Sequence, residues 1–127
     1  MKSTKILIVE DDLFLRELYT DILSSEAWTV DSAVDGQEGL EKIQAGGWTL
    51  VLLDMNLPKL NGVDIVKKLK TEPNQEKNER IMFLTNMEEG PALKEVQLMG
   101  YDYLIKSQFA PDQFLEKVKS IVSNITS

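Results

Sequence analysis

Apolar residues along this chain fall into two rhythms. The runs Ile6-Leu7-Ile8-Val9, Val51-Leu52-Leu53 and Ile81-Met82-Phe83-Leu84 are too short for most helices and are bounded by polar or turn-forming residues. They predict strands buried on both faces. Trp28 to Val34 alternates loosely, and Asp102-Tyr103-Leu104-Ile105 is a short fifth run; both predict further strands. Between these runs apolar residues recur at helical spacing: Leu15, Leu18, Tyr19 and Ile22; Leu40 and Ile43; Ile65, Val66 and Leu69; Ala92, Val96 and Met99; Phe114, Val118, Ile121, Val122 and Ile125. The punctuation agrees. Asp35-Gly36 leads into the second helix and Gly46-Gly47 stops it, Pro58 and Asn61-Gly62 turn the chain into the third, and Pro91 and Pro111 open the fourth and fifth. Residues 71–80 are polar and read as a solvated loop, while Phe14, Trp28, Met55, Met87 and Met99 read as core or surface packing.

Five strands alternating with five helices predict an α/β fold, a (βα)5 doubly wound parallel sheet with helices on both faces and right-handed crossovers. A flavodoxin-like strand order 2-1-3-4-5 is expected, because it buries strands 1, 3 and 4 most fully and those are the most apolar. The 127 residues are expected to form a single domain spanning 1–127, with no internal repeat or linker.

Composition narrows the chemistry. A formal net charge of −7 gives no broad basic footprint for nucleic acid, so direct DNA binding is not expected. The chain has no cysteine and no histidine. Thiolate chemistry, imidazole bases, Ser-His-Asp triads and histidine-ligated metals are therefore excluded, leaving carboxylates, Lys, Ser/Thr and Tyr. The apolar run after the basic start is too short for a signal segment or membrane span, so a cytoplasmic protein with no membrane contact is expected.

Each of the most buried strands ends in a residue able to do chemistry. Glu10-Asp11 follows the first strand, Asp54 the third, Thr85 the fourth and Lys106 the fifth, and the carboxyl ends of parallel strands share one rim, where ligands bind. Three carboxylates there repel one another unless a cation offsets the repulsion. Magnesium fits: it takes one or two carboxylates, keeps several waters and completes an octahedron with oxygens at about 2.0–2.1 Å. Manganese would serve with the same ligands. Lys106 adds a point charge suited to an anion, and the Thr85 hydroxyl can donate to one of its oxygens. These parts suit a phosphoryl group on Asp54, which would act as in-line nucleophile, with an external donor because the chain carries no histidine.

The motifs ILIVEDD, VLLDMNLPKLNG, FLTN and YLIK, in this order over nearly the whole chain, resemble the receiver domain of two-component response regulators, and in particular stand-alone regulators of the chemotaxis type. The resemblance implies a phosphorylation-activated signalling switch rather than an enzyme in its own right, although such a domain assists its own phosphorylation and dephosphorylation. Asp54 matches the phospho-acceptor, Glu10 and Asp11 the magnesium ligands, and Asn56 the residue lending its backbone carbonyl to the metal. Thr85 matches the switch hydroxyl, Tyr103 the switch aromatic, and Lys106 the lysine that contacts the phosphoryl group. The implied partners are a histidine kinase or phosphotransfer protein and a downstream protein target, met through the surface of the fourth helix, fifth strand and fifth helix. The oligomeric state expected is a monomer or a weak phosphorylation-dependent dimer. Two positions depart from the pattern: Ser107 stands where proline is usual, and Asn86 where a small residue is usual. A cis bond without proline costs about 3–4 kcal/mol, so a trans bond or rearranged loop is expected after Lys106.

Other classes share parts of this layout. A Toprim-type phosphotransferase or nuclease needs an Asp-x-Asp where this chain has Asp54-Met55-Asn56. A haloacid-dehalogenase-like phosphatase carries its nucleophile after the first strand. A phosphorylation-independent interaction module would keep the fold without the chemistry, and Ser107 and Asn86 give it some support.

Overall fold

In a computed structural model of the chain, which describes residues 3–72, 77–86 and 90–126, five strands alternate with five α-helices. The order is β1 (Lys5–Val9), α1 (Leu13–Ser24), β2 (Thr29–Ala33), α2 (Gly36–Ala45), β3 (Leu50–Asp54), α3 (Gly62–Lys70), β4 (Ile81–Thr85), α4 (Pro91–Leu98), β5 (Tyr103–Ile105) and α5 (Pro111–Thr126), with one 3-10 turn at Lys106–Gln108. All strand pairings are parallel and the sheet order is β2-β1-β3-β4-β5, as the sequence predicts. Every residue of β3 is buried, and β1 and β4 are buried except at their first residues. The edge strand β2 is half exposed, which is why its sequence, TVDSA, carries little apolar signal.

Because strand side chains alternate, each face of the sheet collects its own core. Leu7, Val9, Val51, Leu53 and Phe83 pack against α2, α3 and α4, and Ile6, Ile8, Leu52, Met82 and Leu84 pack against α1 and α5. Three buried apolar helical residues, Leu23, Val63 and Leu93, lie outside the expected stripes. Leu23 in α1 is fully buried while Ile22 is half-buried, and Leu93 in α4 is buried while Ala92 and Met99 are only partly so. Phe14 lies 72% exposed on the surface, and Met87 is outside the described residues.

The expectation of a solvated loop at 71–80 holds where it is described, since Lys77, Glu79 and Arg80 are exposed and lie in no helix or strand, and the loop is in addition tied to the sheet. Residues 73–76 are outside the described set, but Lys77–Arg80 run alongside the chain entering β3. Gly47 N–H donates to the Lys77 carbonyl at 2.9 Å, Glu79 N–H to the Trp48 carbonyl at 2.9 Å, and Val51 N–H to the Arg80 carbonyl at 2.9 Å. The Asn78 side chain closes the seam, accepting from Trp48 N–H and donating to the Ile43 carbonyl. The side chains of Lys77, Glu79 and Arg80 face solvent while the backbone pairs with the chain entering β3.

Candidate functional site

The carboxyl ends of β1, β3, β4 and β5 meet at one mouth, and the predicted chemistry meets there. The Lys106 ammonium lies 2.7 Å from Glu10 Oε2 and 2.7 Å from Asp54 Oδ2. All three side chains are almost completely buried, at 7% exposure for Lys106 and Asp54 and 1% for Glu10. Asp11 is exposed at the rim, and carboxylate oxygens of Glu10, Asp11 and Asp54 lie within 4.8 Å of one another. Thr85 is 1% exposed at the end of β4, level with Ile105 of β5. Tyr103 is half-buried at the start of β5 and packs against the core under α3 and α4.

Local geometry holds the acids in place. At the end of β3, Asp54 Oδ1 accepts from the Asn56 N–H at 3.1 Å, so each oxygen of the nucleophile candidate has a fixed partner. Glu10 Oε1 accepts from the Asp12 N–H at 3.2 Å, and Asp12 in turn caps α1 by accepting from the Leu15 N–H. The loop after Asp54 is braced from two sides. A Cβ on Gly62 would sit 2.6 Å from the Asp54 carbonyl oxygen and 2.8 Å from Phe83 Cε1, so only glycine lets α3 start this close to β3. A Cβ on Gly36 would sit 1.6 Å from the Leu60 carbonyl oxygen. The loop therefore lies directly on the first turn of α2, where Gly36 N–H donates to the Pro58 carbonyl and Asp35 pairs with Lys59 at 3.2 Å. Lys59 has φ +68°, a left-handed conformation.

The electrostatics are those of crowded acids with one cation among them. Burial pushes the Glu10 carboxyl up to about 7; the bond to Lys106 opposes this and the Asp54 charge adds to it. Burial pulls the Lys106 ammonium down, but its bonds to Asp54 and Glu10 outweigh that and hold it above the ordinary lysine range. Burial is the main cause of the raised Glu10 carboxyl, and the Asp54 charge adds to it. Three carboxylates converging on one point form an all-oxygen donor set, which suits a hard divalent cation such as magnesium.

All the residues expected at the site lie at this mouth except Tyr103, which starts β5 at the opposite end of that short strand. Described peptide bonds are all trans, and Lys106–Gln108 form a 3-10 turn, in keeping with serine at 107. The exposed Asn56 side chain supplies no second acid, which removes the basis of the Toprim-type reading. Residues that brace the mouth were not singled out from the sequence: Arg16, whose guanidinium reaches the Glu10 carbonyl, and the Gly36–Leu60 contact. Asp35-Gly36 was legible as a turn; that it carries a second loop was not.

Comparison with known proteins gives the same answer. The response regulator receiver domain model matches residues 6–119. A transcriptional regulatory protein of Bacillus subtilis, YcbL, itself uncharacterised, is 32% identical over 121 residues, covering 94% of this chain and 51% of that protein. The chemotaxis protein CheY of Treponema pallidum is 29% identical, covering 93% of this chain and 82% of that one. The structure of the Thermotoga maritima response regulator TrrA, in complex with Mg2+-BeF, superposes with a TM-score of 0.74 at 29% identity, covering 92% of this chain and 97% of that one. The chain spans about half the length of several transcriptional regulators it matches. No helix among the described residues is long and apolar enough to cross a membrane. With the sheet order, the acidic mouth and the family match in agreement, this chain belongs to the response regulator receiver domain family.

Proposed function

We propose that Asp54 is the phospho-acceptor of a signalling switch, loaded by a histidine kinase or phosphotransfer protein. The observation that carries this reading is the buried Glu10–Lys106–Asp54 arrangement, in which one ammonium holds an oxygen of each acid at 2.7 Å. An Asp54 carboxylate oxygen attacks phosphorus in line. The new O–P bond replaces the bond to the donor nitrogen, or to the acetate oxygen of acetyl phosphate, and the leaving group departs with the electron pair. Lys106 is already beside the carboxylate and follows the charge onto a phosphoryl oxygen. The buried Thr85 hydroxyl donates to another. Magnesium, or manganese, held by Glu10, Asp11, Asp54 and the Asn56 backbone carbonyl, would supply the remaining charge neutralisation when bound.

Drawing Thr85 toward the phosphoryl group vacates space on the α4 side of the sheet, where the half-buried Tyr103 ring can turn inward. The surface of α4, β5 and α5 would then change shape and present itself to a downstream protein. Residues 1–127 serve in this reading as one receiver domain, working in the cytoplasm as a monomer or weak phosphorylation-dependent dimer, without nucleic-acid or membrane contact of its own.

Incubation with acetyl phosphate and magnesium should add one phosphoryl group by intact mass, removable by hydroxylamine. Asp54→Asn should gain none. Equal gain by the variant, or no gain by the wild type, overturns the reading and leaves a phosphorylation-independent interaction module as the alternative.

A further inference from the structure

Arg16 sits one helical turn into α1, outside the cluster of acids, yet its guanidinium turns back to the loop that carries them. Nη1 donates to the Glu10 carbonyl at 3.0 Å and lies 3.4 Å from the Asp11 carbonyl. A single nitrogen therefore gathers the backbone carbonyls of the two residues whose side chains face the mouth. Around it the loop is held at other points: Glu10 N–H donates to the Ala33 carbonyl at 3.1 Å, and Asp12 N–H to Glu10 Oε1 at 3.2 Å. Beyond Val9 the chain leaves the sheet, and the Arg16 guanidinium, which bonds both the Glu10 and the Asp11 carbonyl, helps to fix their direction and with it that of both carboxylates.

We propose that Arg16 is a positioning residue for the divalent-cation site: by clamping the Glu10 and Asp11 carbonyls from outside, it holds the two carboxylates in a ligating arrangement. This rests on the reading of the mouth as a magnesium site. Arg16 touches neither the ion nor Asp54. Its effect is to set the loop before the ion arrives, so that binding does not have to order the loop. Its fixed positive charge, which no physiological pH removes, also lies behind two acids that repel each other.

The test is magnesium affinity of the whole chain by calorimetry, beside the thermal midpoint of the metal-free protein. Arg16→Met keeps the aliphatic stem and removes the donor and the charge; Arg16→Lys keeps one charged nitrogen, which is all the contact uses. Removing a partner of a metal ligand weakens affinity by about ten- to a hundredfold, and Arg16→Met, acting through the backbone, should lie near tenfold. Arg16→Lys should recover most of that loss. Magnesium affinity within twofold of wild type in Arg16→Met overturns the proposal, whatever happens to the midpoint, because a purely structural arginine would lower the midpoint alone. Equal loss in the Lys and Met variants also overturns it. Should Arg16→Met fail to fold, Arg16→Gln replaces it, with weaker binding than Arg16→Lys expected and equal binding overturning the proposal. If the wild type binds no magnesium, the site assignment fails and takes the role of Arg16 with it, whereas wild-type binding left unchanged by Arg16→Met overturns the role of Arg16 alone.

Discussion

The two ends of this sheet use polar residues in opposite ways. At the amino ends of the strands, polar side chains finish the backbone: Thr49 Oγ1 accepts from Lys5 N–H, Asn78 joins Trp48 to Ile43, and the Trp48 indole donates to the Lys42 carbonyl. At the carboxyl ends, Glu10, Asp54, Thr85 and Lys106 are buried beside one another, and Glu10 carries a carboxyl raised by burial and by the nearby acid. One end satisfies hydrogen bonds and little else. The other keeps charges close together, on a loop with a left-handed lysine and two glycine contacts that admit no side chain. Backbone pairing and buried charge are thus separated along the strand axis, with the charge at the end where parallel strands deliver their last residues.

The sharpest way to break that separation is to move the loop itself. Gly36→Ala places a Cβ 1.6 Å from a backbone oxygen, which no rotamer change can relieve. It should cost about 3 kcal/mol or more in chemical denaturation and disturb phosphorylation of Asp54 as well, because the displaced segment leads directly from that residue. Unaltered stability would mean that the α2 contact is not tight in solution. Lys106→Met is the next largest. Removing one member of a buried ion pair costs about 3–5 kcal/mol when a charge is stranded, but Glu10 can relieve the strain by taking a proton, so about 2–3 kcal/mol is expected near neutral pH. Added magnesium should restore part of that loss, and a variant whose midpoint magnesium does not raise would count against the cation site.

These residues differ in how visible they were beforehand. Asp54, Glu10, Asp11, Thr85 and Lys106 were legible because each ends a strand whose apolar run is plain in the sequence, and a parallel sheet brings strand ends to one rim. The order β2-β1-β3-β4-β5 followed from which strands are most apolar. Arg16 was not legible, since a basic residue in an amphipathic helix is ordinarily solvated and nothing in its spacing says that it reaches back across the loop. Leu60 was hidden similarly: its contact with Gly36 joins two loops separated by a helix and a strand. The seam at Lys77–Arg80 is solvated as expected, but nothing in its polar side chains signalled that its backbone pairs with the chain entering β3.

That seam supplies the contrast at the other end. Asn78→Ala removes a donor to the Ile43 carbonyl and an acceptor from the Trp48 N–H, and should cost about 1–2 kcal/mol. Magnesium affinity and acetyl phosphate labelling should remain at wild-type values, since the change lies at the opposite end of the sheet. A loss of labelling in Asn78→Ala protein that is still folded would show the two ends to be coupled.

The smallest effect is a slope. Glu10 has a folded-state value of about 7 against 4.5 for an ordinary glutamate, so the metal-free folded protein holds this proton more tightly than the unfolded chain does. The sign follows directly. Below about pH 4.5 the group is protonated in both states and exacts no penalty; between 4.5 and 7 the unfolded chain ionises first, and stability falls as pH rises; above 7 the penalty is complete. One proton limits the slope to about 1.4 kcal/mol per pH unit. Denaturation in EDTA across this window should therefore differ between wild type and Glu10→Gln, with the variant gaining on the wild type as pH rises. Asn78→Ala should run parallel to wild type throughout, because it leaves the charges at the mouth untouched. If Glu10→Gln also ran parallel, the crowding of charge at the mouth would not be a store of free energy, and the contrast between the two ends would be one of geometry alone.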